Sequence, residues 1–207
     1  MEWLLFGAIV AGSAFAARRW RSHRVDRIVG LFALDAAQRL AHEDVTVFGE
    51  QLRRLGRETD GFQLDEPSRQ DYEAALASYE RARRAVPEVE SVEEVSRVTE
   101  TLDDGRYSLA CAQARIAGRP LPERRVPCLF NAQHGPSVTD ILWTAPGRRA
   151  QLVPACADDA ARIARNETPE VRQVKIRGQQ VPFWEVGEVY GSYNPVFKAF
   201  MTAFRST

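Results

Sequence analysis

The chain has 207 residues, of which 44% are hydrophobic and 27% are charged, and these ordinary globular values exclude wholesale disorder. Its 28 basic and 28 acidic side chains give a formal net charge of zero, so we expect no nucleic-acid partner. Its three cysteines, Cys111, Cys128 and Cys156, are too few for a secreted scaffold built on disulfides.

The amino terminus has the pattern of a membrane anchor. Residues 3–17 carry no charge and are followed at once by an arginine cluster. The run is shorter than the usual span of about 17–25 residues, but arginine stems lengthen it by reaching the headgroups. The pattern predicts a transmembrane helix over residues 1–20, and a buried helix of a soluble protein is the alternative. The side chains expected at the two membrane interfaces are Trp3, Trp20, Arg18, Arg19 and Arg21.

The position of the arginines also predicts the topology. A cleaved signal peptide carries its basic residues before the apolar run, whereas here they come after it. By the positive-inside rule, the arginine side stays in the cytoplasm and the amino terminus lies outside. We therefore expect a single-pass protein of the cell membrane that contacts lipid through this helix. Cytoplasmic thiols are held reduced, which argues against a disulfide between Cys128 and Cys156.

Residues 21–118 have the apolar spacing of helices. The first helix should end near Gly56, the second should begin at Asp65 and stop at Pro87, and the third should begin at Ser91 with a capping box. Because a short connection joins the second and third helices, we expect an antiparallel hairpin within a three-helix region. A coiled-coil-like heptad seam in the third helix comprises Val92, Val95, Leu102, Leu109 and Ile116.

Residues 119–207 form a second unit, which begins in a proline-punctuated linker. The predicted strands are Val126–Phe130, Val138–Trp143, Arg149–Pro154, Val171–Ile176 and Gln180–Trp184, and the predicted helix is Asp158–Arg165. The last two strands should pair around Arg177-Gly178. The whole chain is therefore predicted to be α+β, with an anchor, a helical region and a small β-rich module.

One loop of this module carries the chemistry of interest. Cys128 and His134 flank a short turn, Cys156 stands at a helix start, and Asp159 follows one helical turn later. Thiolate and imidazole are ligands that Zn²⁺ selects, so these four residues are a candidate zinc site. No CxxC spacing supports it, and simple packing of the cysteines with His134 capping a turn remains an alternative. A thiol nucleophile with His134 as base and Asp140 as orienting carboxylate is another.

The stretches DDGRYSLACAQARIAGRPLPERR, CLFNAQHGPSVTDILW and VPACADDAARI together resemble a group of uncharacterised single-pass membrane proteins of high-GC Gram-positive (actinobacterial) bacteria. The resemblance covers most of the chain, and its most specific pieces are the HGPS loop and the VPAC helix start. It implies a topology and an origin, but no activity. Some members of the group carry a second cysteine at the position of Asp159, which implies a weaker metal site in this chain.

The sequence favours a membrane-anchored, cytoplasm-facing adaptor or scaffold that recruits a protein partner through its carboxy-terminal module. The alternative is a metal- or thiol-dependent hydrolase that uses Cys128, His134 and Cys156. The aromatic side chains expected to contact a partner are Trp184, Tyr190, Tyr193, Phe197, Phe200 and Phe204.

Overall fold

The computed structural model describes residues 34–61, 63–146, 149–176 and 178–185. Helix α1 covers residues 34–58, α2 is Glu66–Ala85 and α3 is Val92–Ile116. The Arg115 side chain near the end of α3 donates to Asp71 near the start of α2 at 2.8 Å, so these two helices are antiparallel, as predicted. Tyr72 in α2 donates to the Leu52 carbonyl of α1 at 3.2 Å, which places α1 beside the same pair. The three helices form a bundle, which we call the stem.

The helix ends follow the predicted capping chemistry. Asp65 caps α2 by accepting a hydrogen bond from the Ser68 N–H at 3.0 Å. Ser91 and Glu94 form a complete capping box at the start of α3. A 3-10 turn at Val86–Glu88 contains Pro87, so α2 stops where proline removes a backbone donor. These local signals fix the helix boundaries because each one satisfies a backbone group that the helix leaves unpaired.

The core of the stem is apolar, and Phe48, Leu52, Val95 and Leu102 are all fully or almost fully buried. Three residues of the predicted seam, Val95, Leu102 and Leu109, are buried in this core. Ile116, at the end of the seam, is exposed. Cys111 is also buried in α3.

In its described part, which ends at residue 185, the second unit contains two separate antiparallel hairpins and one short α-helix. Strand β1, Thr139–Thr144, pairs with β2, Ala150–Ala155, and α4 covers Ala157–Ala164. Strand β3, Gln173–Ile176, pairs with β4, Gln179–Pro182, around a two-residue turn. Gly178 has a positive φ of 86°, a conformation that favours glycine in such hairpins. The α+β class is confirmed, and we call residues 119–185 the module.

Two details of the strand prediction are wrong. Residues 126–130 form no strand; an isolated bridge joins Pro127 to Pro136, and the next residues bend into a loop. Pro127 within this segment removes a backbone donor that a strand ladder would need. Trp184 lies in a 3-10 turn, Phe183–Glu185, instead of ending the last strand.

Polar side chains join the module to the stem around one buried carboxylate. Asp44 of α1 is 1% exposed, and it accepts from Arg172 at 2.8 Å and from the Gln133 amide at 2.6 Å. Arg106 of α3 approaches the other oxygen of Asp44 at 3.5 Å. Gln51 of α1 also donates to the Gln133 carbonyl at 2.9 Å. The loop that carries Gln133 is therefore fixed directly against α1.

Within residues 34–61, 63–146, 149–176 and 178–185, we find no helix with the length and apolar character needed to span a membrane. The predicted anchor, with Trp3, Trp20 and the arginine cluster, lies outside the described residues. So do five of the predicted contact aromatics, Tyr190, Tyr193, Phe197, Phe200 and Phe204.

Candidate metal centre

The candidate site is built on the loop that follows the linker. A 3-10 turn at Ala132–His134 is capped by the Asn131 side chain, which accepts from the Gln133 N–H at 3.1 Å. Gly135 closes the turn with a φ of 83°, and its carbonyl accepts from the Cys128 N–H at 3.1 Å. Because this conformation disfavours side chains with a Cβ, the glycine of the HGPS sequence is what lets His134 fold back toward Cys128.

Helix α4 brings the other two side chains. Cys156 is its N-cap, and the Asp159 N–H donates to the Cys156 sulfur at 3.4 Å. Strand β2 leads directly into Cys156, and the Leu129 N–H donates to the Pro154 carbonyl at 2.9 Å. The loop and the helix start are thus aligned by backbone hydrogen bonds, and Leu129 is fully buried beneath them.

The structure brings all four predicted ligands together. One ligating atom from each of Cys128, His134, Cys156 and Asp159 lies within 4.8 Å of all the others. Oδ2 of Asp159 is 3.3 Å from each of the two sulfurs. Nδ1 of His134 is 2.9 Å from that same oxygen and 3.6 Å from the Cys156 sulfur. Cys128 and Asp159 are fully buried, and Cys156 is 8% exposed.

These separations are close to the ligand–ligand distances of a tetrahedral zinc site. With Zn–S bonds of about 2.3 Å and Zn–N or Zn–O bonds of about 2.0–2.1 Å, neighbouring ligand atoms are about 3.3–3.8 Å apart. Four of the six ligand–ligand distances are 2.9 to 3.6 Å, within or slightly below that range, and the other two are no longer than 4.8 Å. Small shifts of the four side chains would therefore accommodate a tetrahedral ion. The set of two sulfurs, one nitrogen and one oxygen also suits zinc.

The geometry does not match a nucleophile–base–carboxylate triad. In such a triad the histidine uses one ring nitrogen for the nucleophile and the other for the carboxylate. Here Nδ1 of His134 faces both Cys156 and Asp159, so one atom meets both partners. Asp140, the carboxylate that the thiol interpretation assigns to His134, instead accepts from Arg125 at 2.7 Å. That assignment of Asp140 is therefore wrong.

A second layer of groups holds the candidate ligands. Glu170 donates its backbone N–H to Oδ1 of Asp159 at 2.7 Å, which leaves Oδ2 aimed at the cluster. The Glu170 carboxylate lies 3.9 Å from Nε2 of His134, on the side of the ring away from the cluster. Carboxylates and backbone groups in these positions orient metal ligands in known sites. Sequence patterns gave no signal for Glu170, because it is eleven residues from Asp159 and follows no motif.

The four groups shift one another's protonation in the metal-free state. A hydrogen bond from Cys128, aided by His134, lowers the pKa of Cys156 to about 5. The pKa of Cys128 is raised, mainly by its hydrogen bond to Cys156 and further by burial. Burial favours neutral His134, but its hydrogen bond to Asp159 prevails and raises the histidine pKa to about 9. Burial likewise opposes ionisation of Asp159, yet the bond from His134 lowers its pKa to about 2.

A cleft lies over one side of the cluster. It has a volume of about 710 Å³ and runs between α3 and the module. Its walls include Gln113 from α3, Arg119 from the start of the module and Asp158 from α4. Among the four candidate ligands, His134, Cys156 and Asp159 line this cleft, whereas Cys128 does not. The cluster therefore has one face toward the cleft and one face toward the core.

The structure also shows an exposed apolar pair that the sequence analysis missed. Leu142 and Leu152 are direct cross-strand partners in the β1–β2 hairpin. Their side chains are 66% and 70% exposed, whereas Val153 beside them is fully buried. The alternation in the TDILWT stretch could have predicted an outward-facing Leu142, because every second residue of a strand points to the same face.

No protein-family model matches the chain, and neither the curated proteins nor the solved structures that we compared include a match. The α+β fold and the four-residue cluster thus stand on the structure alone.

Proposed function

We propose that the chain is a membrane-anchored, cytoplasm-facing adaptor whose carboxy-terminal module folds around one structural zinc ion. The observation that supports the zinc ion is the convergence of Cys128, His134, Cys156 and Asp159 within 4.8 Å. A module of this size has a modest core, and zinc binding contributes about 10–16 kcal/mol in small zinc-dependent folds.

Charge favours a structural role over a hydrolytic one. Two thiolates and one carboxylate would surround a Zn²⁺ ion with three negative charges and one neutral imidazole. The complex would then have a net charge of −1, which makes the ion a weak Lewis acid. Asp158 and Glu170 add negative charge at the rim. Four protein ligands also complete the tetrahedron, whereas catalytic zinc sites keep one position for water.

The exposed leucine pair supports the recruiting function. Leu142 and Leu152 form an outward apolar surface on a hairpin whose other face packs on the module core. Because the Cys156 N-cap directly follows β2, zinc at the cluster would fix one end of this hairpin. We propose the leucine pair as a partner contact surface in addition to Trp184 and the aromatic residues 190–204.

Metal content tests the zinc proposal. The full chain is purified in mild detergent without added zinc, beside the Cys128→Ser/Cys156→Ser variant and the Cys111→Ser variant. We expect about one zinc ion per chain in the parent and in Cys111→Ser, and none in the double variant. Cys111 is a matched control because it is equally buried but lies outside the cluster. Equal thermal stability of all three proteins without metal in any of them would exclude a structural zinc site.

Photo-crosslinking in cells tests the adaptor proposal. A photoreactive residue at Leu142 should yield one defined crosslinked protein, and the same residue at exposed Glu100 on the stem should not. The anchor is tested separately by a topology reporter fused after Thr207. A reporter that is active only outside the cytoplasm would contradict the proposed orientation.

A metal-dependent hydrolase remains the second candidate because three of the four ligands line the cleft. Hydrolysis needs a coordination position that water can occupy. Cobalt-substituted protein distinguishes the two functions, since tetrahedral and five-coordinate Co²⁺ differ in visible absorption. A spectrum that stays tetrahedral when imidazole or acetate is added supports the structural role, and conversion to a five-coordinate spectrum supports the hydrolase.

A further inference from the structure

We propose that the cluster is an oxidant-controlled zinc centre, in which Cys156 reacts with peroxide through the cleft and Cys128 then forms a disulfide with it and releases the metal. This inference rests on the proposed zinc site and assigns its regulation. Three observations carry it: Cys156 lines the cleft whereas Cys128 does not, the two sulfurs lie close together, and this loop is hydrogen-bonded to the stem.

The two cysteines differ in access. Cys156 lines the 710 Å³ cleft and its residue is 8% exposed, so the cleft is the route by which a small oxidant would reach it. Cys128 is fully buried on the core side and does not line the cleft. The first oxidation should therefore occur at Cys156, since attack requires contact between the thiolate and the oxidant.

The second step is favoured by the short distance between the sulfurs, which is no more than 4.8 Å. A disulfide requires about 2.05 Å, so the side chains must approach by less than 3 Å. Cys156 stands at the first turn of α4 and Cys128 in a loop, so neither sulfur is carried in the middle of a helix or strand. The third cysteine, Cys111, belongs to α3 and is outside the cluster.

The chemistry is balanced with hydrogen peroxide as the oxidant. The Cys156 thiolate attacks one peroxide oxygen, an S–O bond forms, the O–O bond breaks and hydroxide leaves. The Cys128 thiolate then attacks the Cys156 sulfur, an S–S bond forms, the S–O bond breaks and a second hydroxide leaves. The two sulfurs lose two electrons in total and the peroxide gains them. Only His134 and Asp159 remain as ligands, so the site loses its Zn²⁺.

The oxidised cluster can affect the stem through the hydrogen bonds of the loop that carries His134. His134 is adjacent to Gln133, whose amide donates to Asp44 and whose carbonyl accepts from Gln51, both in α1. Closing the disulfide moves Cys128 toward Cys156, and it thereby displaces the turn that Cys128 holds through the Gly135 carbonyl and that carries Gln133. Oxidation should therefore loosen the attachment of the module to the stem, so the redox state of the cluster would control how firmly the module is held against α1.

The test uses the full, zinc-loaded chain in mild detergent, treated with one equivalent of hydrogen peroxide in the presence of a colorimetric zinc chelator. We expect one zinc ion released and two thiols lost per chain, a Cys128–Cys156 disulfide in the peptide map, and reloading after reduction with dithiothreitol and zinc. The Cys111→Ser variant should behave identically. A Gln113→Trp substitution narrows the cleft and should slow zinc release several-fold, whereas Gln70→Trp on exposed α2 should not.

The outcomes separate this inference from the zinc proposal. A chain that binds no zinc before peroxide is added overturns both. A chain that binds one zinc ion but keeps it after oxidation overturns the switch alone. The switch is also overturned if zinc leaves with Cys156 oxidised to sulfinic acid and Cys128 still a thiol, or if the disulfide forms between two chains.

Discussion

Zinc binding near pH 7 should release about two protons per ion, and the protonation of the metal-free cluster explains why. With a pKa of about 9, His134 is about 99% protonated at pH 7, and with a pKa of about 5, Cys156 is about 99% ionised. Asp159 is ionised because its pKa is about 2. Cys128, whose pKa is raised, remains a thiol. The metal-free cluster therefore has a net charge of −1.

The zinc-bound cluster has the same net charge. Two thiolates, a carboxylate and a neutral imidazole contribute −3, and Zn²⁺ brings the sum back to −1. The ion thus replaces one proton on Cys128 and one on His134. The apparent association constant should rise about 100-fold per pH unit around pH 7, because each released proton contributes a factor of ten. Below about pH 5, Cys156 also binds a proton, and the dependence should steepen.

The assay is isothermal titration calorimetry of zinc into the metal-free chain in buffers with different ionisation enthalpies. The slope of observed enthalpy against buffer ionisation enthalpy gives the number of protons. Cys111→Ser should match the parent, because this cysteine lies outside the cluster. A value near one for the parent would mean that His134 is neutral before binding and would refute the charge assignment.

The same charges set the pH dependence of the metal-free chain. The pKa of His134 is raised from about 6.5 unfolded to about 9 folded, so its contribution is fully present below about pH 6.5 and is lost as pH rises through 9. This difference corresponds to about 3 kcal/mol of unfolding free energy. Asp159 takes part in the same contact, so its lowered pKa is not counted again. The lowered pKa of Cys156 acts in the opposite direction over the same interval, because its contribution grows as pH rises toward 9. Thermal unfolding of the chelator-treated parent should therefore change little between pH 6.5 and pH 9, whereas the chelator-treated Cys156→Ser variant should show the His134 loss.

Two further substitutions test the stem. Gly105→Ala would place a Cβ 2.7 Å from the Phe48 ring. We expect it to lower the unfolding free energy by about 1–2 kcal/mol, despite the better helix propensity of alanine. The control Glu100→Ala, at an exposed position of the same helix, should change the unfolding free energy by less than about 0.5 kcal/mol. Asp44→Asn removes the buried carboxylate between two arginines and should lower the unfolding free energy by about 3–5 kcal/mol. Asp35→Asn removes one partner of an exposed ion pair and should lower the unfolding free energy by less than about 1 kcal/mol. Denaturant unfolding measures both pairs, and equal effects of Asp44→Asn and Asp35→Asn would contradict the role given to the buried carboxylate.

Helix boundaries in this chain are determined by local chemistry, and the sequence predicts them well. Asp65, Pro87 and the Ser91–Glu94 box act on backbone groups within four residues, so their effect does not depend on the rest of the fold. The β1–β2 hairpin and α4 follow for the same reason, because alternation and capping are local. The segment 126–130 is the exception, since its bridge to Pro136 and its hydrogen bond to Pro154 of β2 depend on partners elsewhere in the chain.

The sequence by itself names Cys128, His134, Cys156 and Asp159 as candidates, because residue type and one helical turn are readable in a linear pattern. Only the tertiary structure decides that they meet, since the loop, β2 and α4 must be placed within a few ångströms of one another. It also decides which ring nitrogen of His134 faces the cluster and that Glu170 holds Asp159. Such contacts depend on the mutual position of separate elements, which packing fixes and local sequence does not encode.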